Sequence, residues 1–173
     1  MSSSNYLCEL NKAMLWLAEQ TNALFVGQAV KYPGQAAFKS FDGIPMEKRI
    51  EMPVAEEFQM GFCTGLALAG YLPISFYTRW DFLILAMNQL VNHLDKMPYM
   101  GYTPKVIIRT AIGRKTPLDP GPQHCQDHTD AVDSMLDTVK VYRIKSAEDV
   151  MPCYQRAMEG KGSAIIVEKM GAY

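Results

Sequence analysis

Apolar positions recur along this chain with two different periods. From Tyr6 to Glu19, Leu7, Leu10, Met14 and Leu17 fall at helical spacing, whereas Ala23-Leu24-Phe25-Val26 is apolar throughout, as a buried strand should be. Tyr32-Pro33-Gly34 and Asp42-Gly43-Ile44-Pro45 mark residues 30–48 as a long loop. A short extended segment over 49–52 leads into Pro53, and helical spacing with small residues returns from Glu57 to Gly70. Pro73 to Tyr77 predicts a strand. Phe82 to about Met97 predicts a helix that ends before Pro98, because the residue ahead of a proline is pushed away from helical conformation. The remainder predicts a strand over Val106–Arg109, a Gly/Pro-rich loop through His124 and a helix near Thr129–Leu136. A strand over Val139–Tyr142, a helix over Ala147–Met158 and a strand over Ala164–Val167 follow.

Strands alternating with helices of this length call for parallel crossovers. The expected fold is α/β: a doubly wound, mainly parallel sheet with helices on both faces. No repeat, low-complexity tract or linker divides residues 1–173, so a single domain is expected.

Composition narrows the partners. With a net charge of −1, the chain has neither the basic footprint of a nucleic-acid binder nor a polybasic membrane patch. No apolar run approaches the roughly 18 residues of a membrane span, and the N-terminus lacks the pattern of a signal peptide. Cys8, Cys63, Cys125 and Cys153 are scattered without a CxxC pair. Free thiols in a reducing cytoplasm are expected rather than a zinc site or disulfide framework. Twelve methionines and nine tyrosines suit faces that associate.

In open α/β sheets ligands bind beyond the carboxyl ends of the strands. Segment 49–52 delivers the chain to Pro53-Val54-Ala55-Glu56, which puts Glu56 at such an end, just before a helix. Position alone leaves Glu56 two roles: a site carboxylate, or an acid that favours a helix N-terminus. Gly61 and Gly65 follow on one helical face, where missing side chains let another backbone approach.

Pro53-Val54-Ala55-Glu56 with Gly61 and Gly65 is followed by Asp81-Phe82, then Asn88-Gln89-Leu90-Val91-Asn92-His93, then Gln123-His124-Cys125-Gln126. In that order these segments resemble the N-terminal, pyrimidine-binding (transketolase-like) domain of the beta subunit of 2-oxo acid dehydrogenases, including the pyruvate enzyme. The resemblance extends from about residue 10 to residue 169. It implies a domain that holds the aminopyrimidine of thiamine diphosphate, with Glu56 meeting a ring nitrogen. A carboxyl group sharing a proton there favours the imino tautomer, whose exocyclic nitrogen can take the thiazolium proton. Glu57 is the neighbouring acid, but the family spacing to Gly61 and Gly65 selects Glu56.

The same resemblance matches Phe82 to the aromatic residue that stacks on the pyrimidine and Val54 to a hydrophobic residue lining its pocket. Core packing and strand-end packing are their alternatives. His124 matches a loop histidine near the substrate, placed to donate to a developing oxyanion or to move a proton; an exposed loop histidine is the alternative. His128 lies outside the motif, and His93 reads as a helix-contact residue.

Phe58 stands where the family commonly has glycine, and Cys125 where it has serine. Thr78-Arg79-Trp80 replaces a more apolar segment, giving Arg79 as a group that could meet an anionic substrate. The family's diphosphate-binding segment, Gly-Asp-Gly followed by paired asparagines, has no counterpart here. The chain stops soon after Val167-Glu168-Lys169, without the family's C-terminal domain. The resemblance therefore implies a freestanding pyrimidine domain without metal ligands. Thiamine diphosphate is expected to be shared with a separate diphosphate-binding subunit that carries Mg2+, in a hetero-oligomer built on a dimer of this chain. The expected reaction is decarboxylation of a 2-oxo acid or acyl or ketol transfer. A transketolase-type subunit acting on ketose phosphates and a non-catalytic α/β binding or regulatory module are the other readings.

Overall fold

Apolar strands need cover on both faces, and the computed structural model, which describes residues 3–116 and 119–169, supplies it. The strands are β1 (Ala23–Gly27), β2 (Arg49–Glu51), β3 (Leu72–Phe76), β4 (Ile107–Ile112), β5 (Lys140–Arg143) and β6 (Ala164–Lys169). They form one six-stranded sheet in the order β2-β1-β3-β4-β6-β5, with every neighbouring pair parallel.

Alternate strand residues feed two cores. Phe25, Ile74, Phe76, Ile107 and Ile166 cluster with residues of α1 (Ser3–Ala18) and α5 (Val150–Glu159), among them Leu10, Met14 and Tyr154. Val26, Ile108, Ile165 and Val167 cluster with Met60 and Cys63 of α2 (Glu56–Leu68), with Trp80 and Leu90 beyond β3, and with Val132 of α4 (Thr129–Asp133). The doubly wound arrangement with helices on both faces is as expected. Among the described residues no helix is long and apolar enough to cross a membrane.

One charged pair is built into the first core. Arg109 and Glu168, both fully buried, meet at 2.5 Å (Nε to Oε1) and 3.1 Å (Nη2 to Oε2). Ser40 Oγ takes Nη1 at 2.7 Å, and the Tyr154 hydroxyl donates to Glu168 Oε1 at 3.0 Å. The guanidinium lies over the Phe41 and Phe76 rings, 5.1 and 4.9 Å from their centroids. Buried ions persist only when paired and hydrogen-bonded in this way.

Element boundaries depart from expectation in several places. The stretch read as a helix over 82–97 changes pitch instead: α3 (Trp80–Leu83), a 3-10 turn (Ile84–Ala86), a π segment (Asn88–His93) and a 3-10 stretch (Leu94–Met100) that contains Pro98. A π turn closes one residue later than an α turn and a 3-10 turn one earlier. Their mixture averages to a helical period. The loop over 30–48 contains 3-10 turns at Ala36–Phe41 and Met46–Lys48. Residues 117 and 118 of the Gly/Pro-rich loop lie outside the described residues.

Helix α2 begins at Glu56 itself rather than after it, and ends at Leu68. Gly70 sets that end: at φ +90° it lets Gly70 N donate to Ala67 O (3.1 Å) and Tyr71 N to Leu66 O (3.0 Å), closing a Schellman cap.

Candidate functional site

The strand order reverses at β1, which lies between β2 and β3: the chain runs from β1 outward to β2 and then crosses back to β3 on the other side of β1. The crevice beyond the carboxyl ends of β1 and β3 is where such folds bind ligands. Glu56 stands there, only 6% exposed, in the first turn of α2. Gln28, directly after β1, donates Nε2–H to Glu56 Oε1 at 3.3 Å. Tyr77, directly after β3, donates its hydroxyl to the Glu56 backbone carbonyl at 3.3 Å. Burial pushes the Tyr77 hydroxyl far above its usual range, so it remains a donor at any ordinary pH.

Buried Gln59 pins the same helical turn to the sheet, reaching Phe76 O at 3.0 Å and Ser75 Oγ at 3.1 Å. Gly27 permits the close packing of β1 on β3, since a Cβ there would fall 2.4 Å from Phe76 O. Glu51, at the end of β2, accepts the backbone N–H groups of Ala29 (2.5 Å), Val30 (3.1 Å), Lys31 (2.8 Å) and Tyr32 (3.4 Å). It thereby closes the loop that carries Gln28.

A second group of residues forms where the chain leaves β3 and β4. Phe82 on α3 and His124 in the short turn Pro122–His124 meet edge to face, with ring centroids 5.5 Å apart. Asp81 Oδ1 tethers the histidine loop by accepting Gln126 Nε2 at 2.9 Å and Gln126 N at 3.4 Å. Trp80 Nε1 donates to Thr129 Oγ1 at 2.9 Å. Gly113, just past β4, fits against the loop because it lacks a side chain: a Cβ would lie 1.7 Å from His124 O and 3.0 Å from Arg79 Nη1. His124 Nδ1, Asp81 Oδ2 and His128 Nε2 are buried without a hydrogen-bond partner.

The structure thus joins Phe82 to His124 and sets Glu56 on the same edge of the sheet. Among the described residues no hydrogen bond or ring contact links Glu56 to that pair. Val54 is 79% exposed, so within this chain it neither packs at the strand end nor lines a pocket. Glu57 is exposed and accepts Asn88 Nδ2 at 3.0 Å. His93 is exposed, so the expected helix contact is not made within this chain.

The glycines of α2 behave differently from expectation as well. A Cβ at Gly61 would meet the Gln89 side chain at 3.3 Å, not another backbone, and at Gly65 it would meet nothing within 4 Å. Phe58, 61% exposed, stacks on Phe62 with centroids 6.1 Å apart. With Glu57, Gly61 and Gln89 these rings line an open groove of about 540 Å³. Gln28, Glu51, Gln59 and Gly113 were not singled out by sequence reasoning. The one signal available was the place of Gln28 and Gly113 immediately after strands. Among the described residues no group of three or more His, Cys, Asp or Glu side chains is placed to hold a metal ion.

No protein-family model matches the sequence. The beta subunit of 2-oxoisovalerate dehydrogenase from Bacillus subtilis (strain 168) is 28% identical over 121 residues, covering 65% of this chain and 37% of that protein. A split-gene transketolase solved as an inactive beta4 tetramer superposes with a TM-score of 0.71 at 21% identity, covering 94% of this chain and 50% of the other. The transketolase of Campylobacter jejuni subsp. jejuni NCTC 11168 gives 0.72 at 14% identity, over 93% and 25% of the two chains. The chain shares the fold of these transketolase structures. The thiamine diphosphate-dependent 4-hydroxybenzoylformate decarboxylase of Rhodococcus jostii RHA1 shares it, with a TM-score of 0.67 at 15% identity over 95% of this chain and 30% of that one. The chain therefore spans half or less of the length of each of these proteins.

The residues brought to this edge of the sheet have the chemistry to meet a flat, weakly basic heterocycle. A shielded carboxylate lies at the switch point, an aromatic ring lies on the neighbouring element, and a histidine nitrogen close to that ring has no partner within the chain.

Proposed function

We propose that this chain is the pyrimidine-binding subunit of a split thiamine-diphosphate enzyme that decarboxylates a 2-oxo acid or transfers an acyl or ketol unit. The observation that carries this reading is Glu56, buried at the switch point with Gln28 donating to its carboxylate. When bound, thiamine diphosphate supplies a nucleophilic carbon centre. Glu56 shares a proton with the pyrimidine through a carboxylate oxygen, Phe82 lies against the ring, and His124 serves the substrate through an imidazole nitrogen. Val54, exposed ahead of α2, closes one side of the pyrimidine pocket in the assembled enzyme.

The diphosphate and its Mg2+ belong on a separate subunit in this reading. The exposed Phe58 ring, stacked on half-buried Phe62, and the open face at Gly65 favour a dimer of this chain within the hetero-oligomer. A transketolase-type reaction on ketose phosphates is the second reading, favoured by the likeness to the split-gene transketolase.

Glu56→Gln and Glu57→Gln, each in complex with the diphosphate-binding chain, test the assignment. Removing the proton-sharing carboxyl should slow both turnover and thiazolium proton exchange by about 100-fold or more. Glu57→Gln, changing an exposed side chain, should leave both near wild type. Wild-type rates in Glu56→Gln would refute the reading and favour a non-catalytic module.

A further inference from the structure

We infer that Gln28 is the positioning residue for Glu56, and that Glu51 holds Gln28 in place. This inference rests on the proposed role of Glu56. The Gln28 amide occupies Oε1 of the carboxylate at 3.3 Å, which leaves Oε2 to meet a ligand nitrogen. A neutral amide does this without the competition of a second charge. Among the described residues Glu56 takes part in no ion pair; the Tyr77 hydroxyl binds its carbonyl, and the adjacent acid, Glu57, is turned to Asn88.

The geometry of Gln28 is set from several directions. Gly27 pairs in register with Glu51, and Met52 N donates to Gly27 O at 2.9 Å, which fixes the chain on the near side of Gln28. On the far side the Glu51 carboxylate gathers four successive backbone N–H groups. Ala29 adopts φ +52° within that turn, a conformation costly for a residue with a side chain and held here by the clamp. Gln35 Nε2 donates to the Gln28 carbonyl at 3.1 Å. The side chain thus springs from a fixed backbone, as a group that must orient another group should.

Two measurements test this. In the full chain alone, the side-chain amide resonances of Gln28, assigned by their loss in Gln28→Ala, should shift in Glu56→Gln and stay in place in Glu57→Gln. Amide resonances indifferent to Glu56→Gln would overturn the inference. In the complex with the diphosphate-binding chain, Gln28→Ala should slow thiazolium proton exchange by about tenfold, the scale of one hydrogen bond to a charged group, with cofactor affinity changed less. Gln28→Glu should retain exchange at low pH, where the new carboxyl is protonated and can donate. It should lose exchange as the pH rises and two carboxylates face each other. A merely structural role would not produce that pH profile. If Glu56→Gln slows exchange while both Gln28 variants match wild type at every pH, this inference fails and the role of Glu56 stands. If Glu56→Gln itself exchanges normally, the underlying reading fails.

Discussion

The rings of Phe82 and His124 meet edge to face, with centroids 5.5 Å apart and planes inclined at 87°. Both rings hang on α3: Phe82 belongs to it, and the loop of His124 is tied through Gln126 to Asp81, the neighbouring residue of the same helix. The contact therefore orients both rings at once. Within the chain His124 Nδ1 is buried and has no protein hydrogen-bond partner, so it can take one from outside the chain.

Phe82→Ala should weaken cofactor binding by the assembled enzyme roughly 3- to 10-fold, the scale of one aromatic contact beyond burial. Phe82→Tyr, which keeps the ring, should restore most of it. Titrating cofactor into complexes of the two variants decides the point: equal affinity in Phe82→Ala and wild type would make Phe82 a packing residue only.

The isolated chain should bind thiamine diphosphate negligibly, with or without Mg2+, because the pyrimidine alone is a small part of the ligand. Adding the diphosphate-binding subunit should produce tight, Mg2+-dependent binding. Calorimetry on the purified chain is the direct check, and micromolar Mg2+-dependent binding by it would rule out a shared site.

Asp95 gives a pH prediction independent of the site. Its carboxylate is fully buried and accepts the N–H groups of Asp137 (3.1 Å), Thr138 (2.8 Å) and Val139 (2.9 Å), with Lys96 Nζ at 2.9 Å. Burial alone would raise its pKa, but the Val139 N–H, Lys96 and the Asp137 and Thr138 N–H groups together hold it at about 2. A carboxyl held lower in the folded than in the unfolded chain stabilises the fold at pH above its ordinary value, near 4. That stabilisation fades as the pH falls toward 2. At neutral pH the contribution is about 2 kcal/mol. Asp95→Asn should lose about that much at pH 7 and progressively less at pH 4 and 2.5. A pH-independent difference in urea unfolding would contradict it.

Sequence and structure agree best where burial is symmetric. Ala23–Val26 and Ala164–Val167 lie between two helical layers, so both faces must be apolar and the run shows in the sequence. The 80–100 segment misleads because its apolar residues face one core while its backbone changes pitch beneath them. The place of Glu56 at a strand end was legible in the sequence, whereas the meeting of Phe82 with His124 was not. Nor were Gln28, Glu51 and Gly113, because what each does depends on a distant loop arriving beside it. Glu51 acts on residues some twenty positions earlier, and Gly113 on the carbonyl of His124.

Gly113→Ala tests whether the strand end positions the histidine loop. The added methyl would fall 1.7 Å from His124 O, and since the obstacle is backbone, no rotamer change relieves it. Strand β4 already ends at Ile112 and is paired with β6 up to that residue, so the loop should yield rather than the sheet. Overpacking of this kind costs about 1–3 kcal/mol, enough to lower Tm without unfolding the chain. The displaced loop should lose the Asp81–Gln126 bonds and the Phe82–His124 contact, visible as a shift of the His124 ring protons once the Phe82 ring current is gone. In the assembled enzyme Gly113→Ala should reduce turnover nearly as far as His124→Ala, and the double variant should fall little further, because both act through one side chain. Gly65→Ala is the control: its Cβ meets nothing within 4 Å in a helix interior, so it should stabilise the isolated chain by about 0.5–1 kcal/mol. Additive losses in Gly113→Ala/His124→Ala, or unshifted His124 ring protons in Gly113→Ala, would show that β4 does not set the position of His124.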